Sequence, residues 1–342
     1  MRHLVTGGSG FLGSAIARRL LQRGDEVRIL DIWDDEGRSK DAEFVLSDIL
    51  DRNRVSEAMQ GVDVVHHNVA LVPITKSGDR FWTVNVEGTR IAAEESVRAG
   101  ASAFVYMSSS AIFGTPQSNP ILDSTVPHPI EKYGRAKLAG EEAARAICEA
   151  AGLPFIAIRP RTILGPGRLG IFGILFDWIR EGRNIYTLGD GNVRFQFVHA
   201  DDLIDAYMLA LDRKRTGTYN VGTDRFGTMR EALEGVIRHA GSRSKVVGIP
   251  APLAINALRV ADWLKLSPLG PYHYHAYGSE YFFDVSPLLA MGWKARFSND
   301  EMFRDTYDWF TAHRDEISSS NSGSAHRRPV REQILSIVRR FS

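Results

Sequence analysis

Tyr133 and Lys137 stand four residues apart, and none of the other nine tyrosines has a lysine at that spacing. On a helix, residues i and i+4 share a face, so an ammonium can lie beside a phenol. A neighbouring cation favours the phenolate and draws a tyrosine pKa down from about 10 toward the working range. Such a phenol can remove or return the proton of an alcohol while hydride passes to or from a nicotinamide. Ser108-Ser109-Ser110 closes a strand candidate and can offer a hydroxyl to the same oxygen.

A second set of residues suits a dinucleotide. In Thr6-Gly7-Gly8-Ser9-Gly10-Phe11-Leu12-Gly13, Gly7 permits a tight turn, Gly10 lets backbone approach a pyrophosphate, and Gly13 lets helix pack on strand. The helix that opens there presents free N–H groups and a positive dipole to phosphate. Asp31 ends the second strand candidate, 18 residues beyond Gly13, where an acid accepts ribose hydroxyls and repels a 2′-phosphate. The expected cofactor is NAD, with nearby Arg38 as the residue that would accommodate NADP.

These groups need elements to hold them. Strand candidates are His3–Thr6, Glu26–Asp31, Val62–His67, Ala103–Ser108 and Phe155–Arg159. Between them Phe11–Arg23, Arg52–Gln60, Arg80–Ala99 and Glu131–Ala151 read as helices, followed by Gly24, Gly61, Gly100 and Gly152 as left-handed caps. Strand–helix alternation at this pitch implies a doubly wound parallel α/β sheet with helices on both faces. After Pro160 the loops turn Gly/Pro-rich and the elements shorten, the texture of a smaller lobe. The expected division is residues 1–165 mainly cofactor domain and 166–316 mainly substrate lobe with returns to the sheet. A Ser-rich linker comes next over 317–324, then a basic amphipathic helix over 325–342 that could meet a partner or a membrane surface.

Composition narrows the class. Among 342 residues, Lys+Arg 42 against Asp+Glu 41 leaves +1, so no nucleic-acid footprint is expected. The single cysteine, Cys148, excludes an internal disulfide and a thiolate-built zinc site. No apolar run approaches the roughly 18 residues of a membrane span, and MRHLVTGG has no signal-peptide core. A cytoplasmic protein, peripheral to a membrane at most, is expected. His66 and His67 end a buried strand and read as packed or cofactor-adjacent, not as metal ligands; no metal is expected. Ser108 and Ser110 read as backbone caps. His273 and His275 suit pocket lining or a surface loop equally.

Taken in order, these motifs resemble the extended short-chain dehydrogenase/reductases, the NAD-dependent epimerase/dehydratase family with a Rossmann-type sheet. The matching stretches are TGGSGFLG (6–13), Asp31, Ser47-Asp48-Ile49, NVA (68–70), NVEGT (85–89), VYMSSSAIFG (105–114) and YGRAK (133–137). IRP (158–160), GDGN (189–192), FVHADDL (197–203), YNVG (219–222) and MGW (291–293) continue the series. Counting back from Phe113-Gly114, the resemblance puts Ser109 beside Tyr133 and Lys137 as the catalytic serine. It implies cofactor contacts at Gly7, Gly10, Phe11, Leu12, Gly13, Asp31, Asp48, Ile49, Val69, Ala70, Asn85 and Pro160, besides Tyr133 and Lys137. It also implies a homodimer through the helix of Tyr133 and the helix before it, with Ala136, Ala139, Gly140, Ala143, Ala144 and Ile147 as a small-residue surface.

The departures bear on substrate. The phosphate-binding arginine of the nucleotide-sugar enzymes falls at Phe195, with Arg194 one residue off, and their asparagine at Thr162. Ser110-Ala111 replaces the Asp-Glu pair of dehydratases, so a 4,6-dehydratase is not expected. Ser110, Thr162, Arg194 and Phe195 are the candidate substrate residues, with Arg159, Arg161 and Arg168 as alternative phosphate contacts. The reading is a NAD-dependent oxidoreductase or epimerase at a secondary alcohol or ketone carbon of a nucleotide sugar. A hydroxysteroid-dehydrogenase-like enzyme on a less charged substrate is the alternative, and a non-catalytic NAD-binding regulator the second.

Overall fold

The computed structural model describes residues 1–73, 77–213, 215–263 and 277–319. His273, His275 and the tail helix lie outside them, as does most of the linker.

The strands are β1 (Arg2–Thr6), β2 (Glu26–Asp31), β3 (Glu43–Leu46), β4 (Val64–His67), β5 (Ala103–Met107), β6 (Phe155–Pro160), β7 (Thr162–Leu164), β8 (Ile185–Leu188), β9 (Phe197–His199), β10 (Gly217–Val221) and β11 (Val246–Ile249). Helices α1 (Phe11–Gln22) and α2 (Arg52–Ala58) come first, then α3 (Arg80–Trp82) runs through a π-helical turn, Thr83–Glu87, into α4 (Gly88–Arg98). After them come α5 (Lys132–Ala150), α6 (Phe172–Arg180), α7 (Ala200–Arg213) and α8 (Met229–His239).

Seven strands form one sheet in the order β10-β6-β5-β4-β1-β2-β3. Every pairing in it is parallel. This is the doubly wound Rossmann-type sheet that the alternation implies. Side chains along a strand point to opposite faces, so each strand feeds two cores. Val5, Ile29, Val64 and Val105 meet Ile16 and Leu20 of α1 and Leu203 and Tyr207 of α7 on one face. Leu4, Leu30, Val65 and Phe104 meet Val55 of α2, Ile91 of α4 and Ala144 of α5 on the other. Gly24, Gly61, Gly100 and Gly152 all have positive φ, as left-handed helix ends require.

The chain beyond Pro160 carries two short parallel pairs, β7·β9 and β8·β11. Phe172, Phe176, Phe197 and Phe303 meet edge to face there. Asp202 joins the segment around Arg296 to α7: its carboxylate accepts the Arg296 and Phe297 backbone N–H groups and the Arg296 side chain, while its carbonyl accepts Trp293 Nε1. That explains why the FVHADDL and MGW stretches occur together. β10 comes from beyond β7, β8 and β9 to close the sheet beside β6. No described helix is long and apolar enough to cross a membrane.

Candidate active site

The chain reverses direction across the sheet between β1 and β4, and ligands of such folds bind outside the strand ends at this point. A cleft of about 530 Å³ opens there. Its lining brings together Gly7, Gly10, Phe11, Leu12, Gly13, Asp31, Asp48, Ile49, Val69, Ala70, Ser109, Ser110, Tyr133, Lys137, Pro160 and Thr162. Asn85, Arg194 and Phe195 do not line it.

The glycine turn is too crowded for side chains. A Cβ at Gly13 would fall 2.1 Å from the Gly7 carbonyl oxygen, and one at Gly7 would fall 2.9 Å from the Val69 nitrogen. Gly10 caps α1 without any side chain on the first-turn amides, so the helix dipole and those N–H groups are open to an anion. Asp31 accepts N–H bonds from Ser9 and Ile32, at 3.1 and 2.7 Å. Burial nevertheless pushes its carboxyl above the usual range. Arg38 is committed elsewhere: it grips Asp34 and the Ala42 carbonyl and lies over the Phe44 ring. These features fit a dinucleotide with an unphosphorylated adenosine ribose.

Asn85 serves the cleft from behind. Its side chain accepts the Leu71 N–H at 2.8 Å and donates to the Leu71 carbonyl at 3.0 Å, so it fixes the loop that carries Val69 and Ala70. His67 is held between Thr6 and Thr89, whose hydroxyl donates to the Asn85 carbonyl. Burial lowers His67 to about 3, so the ring is neutral. His66 bonds His3 and Tyr207 within the core.

The three serines have separate partners. Ser109 Oγ accepts the Ala111 N–H at 3.2 Å and faces the cleft. Ser108 donates to Glu141 at 2.6 Å, and Ser110 accepts from Arg161 Nη1 at 3.2 Å. The expectation that Ser108 and Ser110 cap backbone is therefore corrected: Ser109 does so, because it alone precedes a 3₁₀ turn, Ser110–Phe113, with its side chain aimed forward.

Tyr133 starts α5, where Glu131 accepts the Tyr133 and Gly134 N–H groups. Phe81 meets the Tyr133 ring edge to face. Lys137, one turn on, donates to the Met107 carbonyl at 2.7 Å, with Nζ 4.1 Å from the Tyr106 ring centre. Burial lowers its pKa to about 7, against the pull of Glu141.

Arg194 and Phe195 leave the cleft in opposite ways. Arg194 lies over the Phe226 and Phe282 rings, whereas Phe195 is fully buried against Phe197 and Tyr277. The two residues make isolated bridges to different segments, Arg194 to Thr228 and Phe195 to Tyr281, and their side chains part accordingly. Neither of these candidate substrate residues lines the cleft. Arg161 and Arg168 do line it, and Arg161 rests 3.7 Å from the Tyr281 ring centre and 4.7 Å from that of Phe195. Glu141 and Arg159, absent from the sequence expectations as a pair, meet at 2.5 Å beneath Ser108.

A dinucleotide cleft ending in Ser, Tyr and Lys on this sheet belongs to the extended short-chain dehydrogenase/reductases. Residues 3–222 match the model of the NAD dependent epimerase/dehydratase family, and the chain belongs to that family. It is 46% identical to the uncharacterized protein y4nG of Sinorhizobium fredii over 98% of this chain and 85% of that one. It is 32% identical to a UDP-glucose 4-epimerase of Mycolicibacterium smegmatis over 69% of this chain and 83% of the other. The solved UDP-glucose 4-epimerase of Thermus thermophilus in complex with NAD is 27% identical, with TM-score 0.74 over 91% of this chain and 99% of that one.

Proposed function

We propose that the chain epimerises a secondary alcohol carbon of a nucleotide sugar, with NAD held in the cleft. The observation that carries this reading is the meeting of Ser109, Tyr133 and Lys137 with the glycine turn and Asp31 in one cleft. When bound, NAD would supply a hydride acceptor for the alcohol carbon and then the donor that reduces the ketone from its other face. Tyr133 takes the hydroxyl proton as the carbon is oxidised and gives it back on reduction. Ser109 holds the oxygen through its hydroxyl. Lys137 as an ammonium stabilises the phenolate of Tyr133.

Arg161 and Arg168 support an anionic substrate, since both guanidiniums line the same cleft. They would take the place of the arginine that Phe195 lacks, by charge-assisted bonds to a diphosphate. The UDP-sugar 4-epimerases among its relatives support the same class. The small-residue surface of α5 divides in two. Ala136, Gly140 and Ala144 are buried within the chain, leaving Ala139, Ala143 and Ile147 partly exposed for a second copy.

The test is denaturation of the purified protein and mass spectrometry of released nucleotide, followed by turnover with UDP-hexoses and UDP-pentoses. Released or tightly bound NAD with interconversion of C4 epimers is expected. Turnover of sterol-like alcohols but no nucleotide sugar would overturn the substrate class, and failure to bind NAD would overturn the reading altogether.

A further inference from the structure

Beneath the cleft lies an ionic cluster that the reaction does not touch. Glu141 sits one turn beyond Lys137 on α5 and is 1% exposed. Its two oxygens receive Arg159 Nη2 at 2.5 Å, Arg159 Nε at 3.2 Å, Ser108 Oγ at 2.6 Å and Arg145 Nη2 at 3.3 Å. Three elements thus converge on one carboxylate: α5, the end of β5 through Ser108, and β6 through Arg159. Ser108 is flanked by the two residues that matter most at this strand end. The Met107 carbonyl receives Lys137 Nζ, and Ser109 faces the cleft.

We propose that Glu141 is a positioning residue for Lys137. It anchors the strand end whose carbonyl receives the lysine and places a buried negative charge one turn along the helix from it. This rests on the reading that Lys137 works beside Tyr133. Buried ion pairs contribute little to stability against an apolar replacement, so a structural role alone gives weak reason for one here. A charge one turn from a buried lysine acts across a medium that screens it poorly.

The other groups around Lys137 leave Glu141 as its counterweight. From β5 come the Tyr106 ring and the Met107 carbonyl. His67 on β4 is neutral, so it offers no charge. Arg159 and Arg145 oppose the carboxylate, and both are bonded to it. Burial brings Lys137 down to about 7 while Glu141 pulls it back up.

The test titrates the lysine directly. In protein labelled with ¹³C-lysine, the Lys137 Cε resonance is identified by its loss in Lys137→Met, and its midpoint is tracked with pH. Glu141→Gln should lower that midpoint by about one pH unit or more. A merely loosened site would hydrate the amine and raise the midpoint toward the ordinary lysine value, so an unchanged or raised midpoint overturns the proposal. Ser108→Ala keeps both charges and should move the midpoint less than Glu141→Gln does; an equal movement overturns the assignment to charge. If Glu141→Gln does not fold, Glu141→Met combined with Arg159→Met, which leaves neither member of that pair buried without its partner, should still lower the midpoint, and an unchanged or raised value counts against the proposal. The titration needs neither cofactor nor substrate, so its failure is distinct from failure to bind NAD.

Discussion

The Asp31 carboxylate accepts the Ser9 backbone N–H at 3.1 Å, so the acid that ends β2 also holds the turn after β1. The proposed selection between cofactors and the shape of the glycine turn therefore share one side chain. Asp31→Ala should narrow the preference for NAD over NADP and weaken NAD itself, because the turn loses a tether. Calorimetry with both dinucleotides checks this. Tighter binding of NADP than NAD to the unaltered protein would refute the assignment.

Tyr133→Phe keeps the edge-to-face contact with Phe81 and removes only the hydroxyl. NAD affinity should stay near that of the parent while kcat falls by about 10²–10⁴, the usual contribution of general acid–base catalysis. Retention of full activity on the identified substrate would show that another group moves the proton.

Gly13→Ala drives a methyl against the Gly7 carbonyl, which lies 2.1 Å from the position of the new carbon. Backbone cannot yield as a flexible side chain would, and overpacking of this kind costs about 1–3 kcal/mol. A lower melting temperature and weaker NAD binding are expected together. Melting curves with and without NAD read both.

Arg168→Met should raise KM for a nucleotide sugar by about 10–100-fold, the worth of one hydrogen bond to a charged group. Arg194→Ala should leave KM near the parent value, since Arg194 rests on Phe226 and Phe282 outside the cleft. Steady-state kinetics on the pair distinguish them, and the reverse order of effects would return Arg194 to the site.

Lys137 makes stability depend on pH in a definite direction. Its folded pKa of about 7 lies below the ordinary 10.5. Above pH 10.5 it is neutral folded and unfolded alike, and its contribution to stability is complete. As pH falls toward 7 the unfolded chain binds a proton that the folded one does not, and that contribution is lost. In Lys137→Met this dependence is gone. The melting temperature of the variant relative to the parent should therefore drop by a few degrees between pH 7 and pH 10. A constant difference across that range would mean that the lysine titrates normally.

Periodicity and caps made the first half of the fold legible. The β1, β2, β5 and β6 segments and helices α1 and α5 stand within a residue or two of their expected bounds, because short apolar runs mark the strands and glycines follow the helices. β3 was not legible: Glu43–Leu46 is a four-residue edge strand with no fully buried position. Beyond Pro160 only the shortening of the elements was legible, since the short strands there pair with distant partners and carry little pattern of their own. At the site, spacing along one helix revealed Tyr133 and Lys137. The same spacing continued once more would have pointed to Glu141, but its partner Arg159 comes from β6 and the pair exists only through the sheet. The arginines divide as well. Arg161 and Arg168 line the cleft and Arg194 does not, and all three stand outside the regular strands, where no periodicity reports which way a side chain turns.

Between Phe81 and Ile91 the helix carries the π-helical turn Thr83–Glu87. Each residue added to a helix rotates its C-terminal part by about 100° relative to its N-terminal part. The turn thus works as a phase shifter. It lets one continuous rod aim Phe81 at Tyr133, then Asn85 at Leu71, then Ile91 at the core beneath the sheet. Deleting one residue within 83–87 would restore regular helical winding, yet the rod could then satisfy one end but not both. A single surplus residue in this helix is what allows the loop of the cleft and the interior of the sheet to be served by the same element.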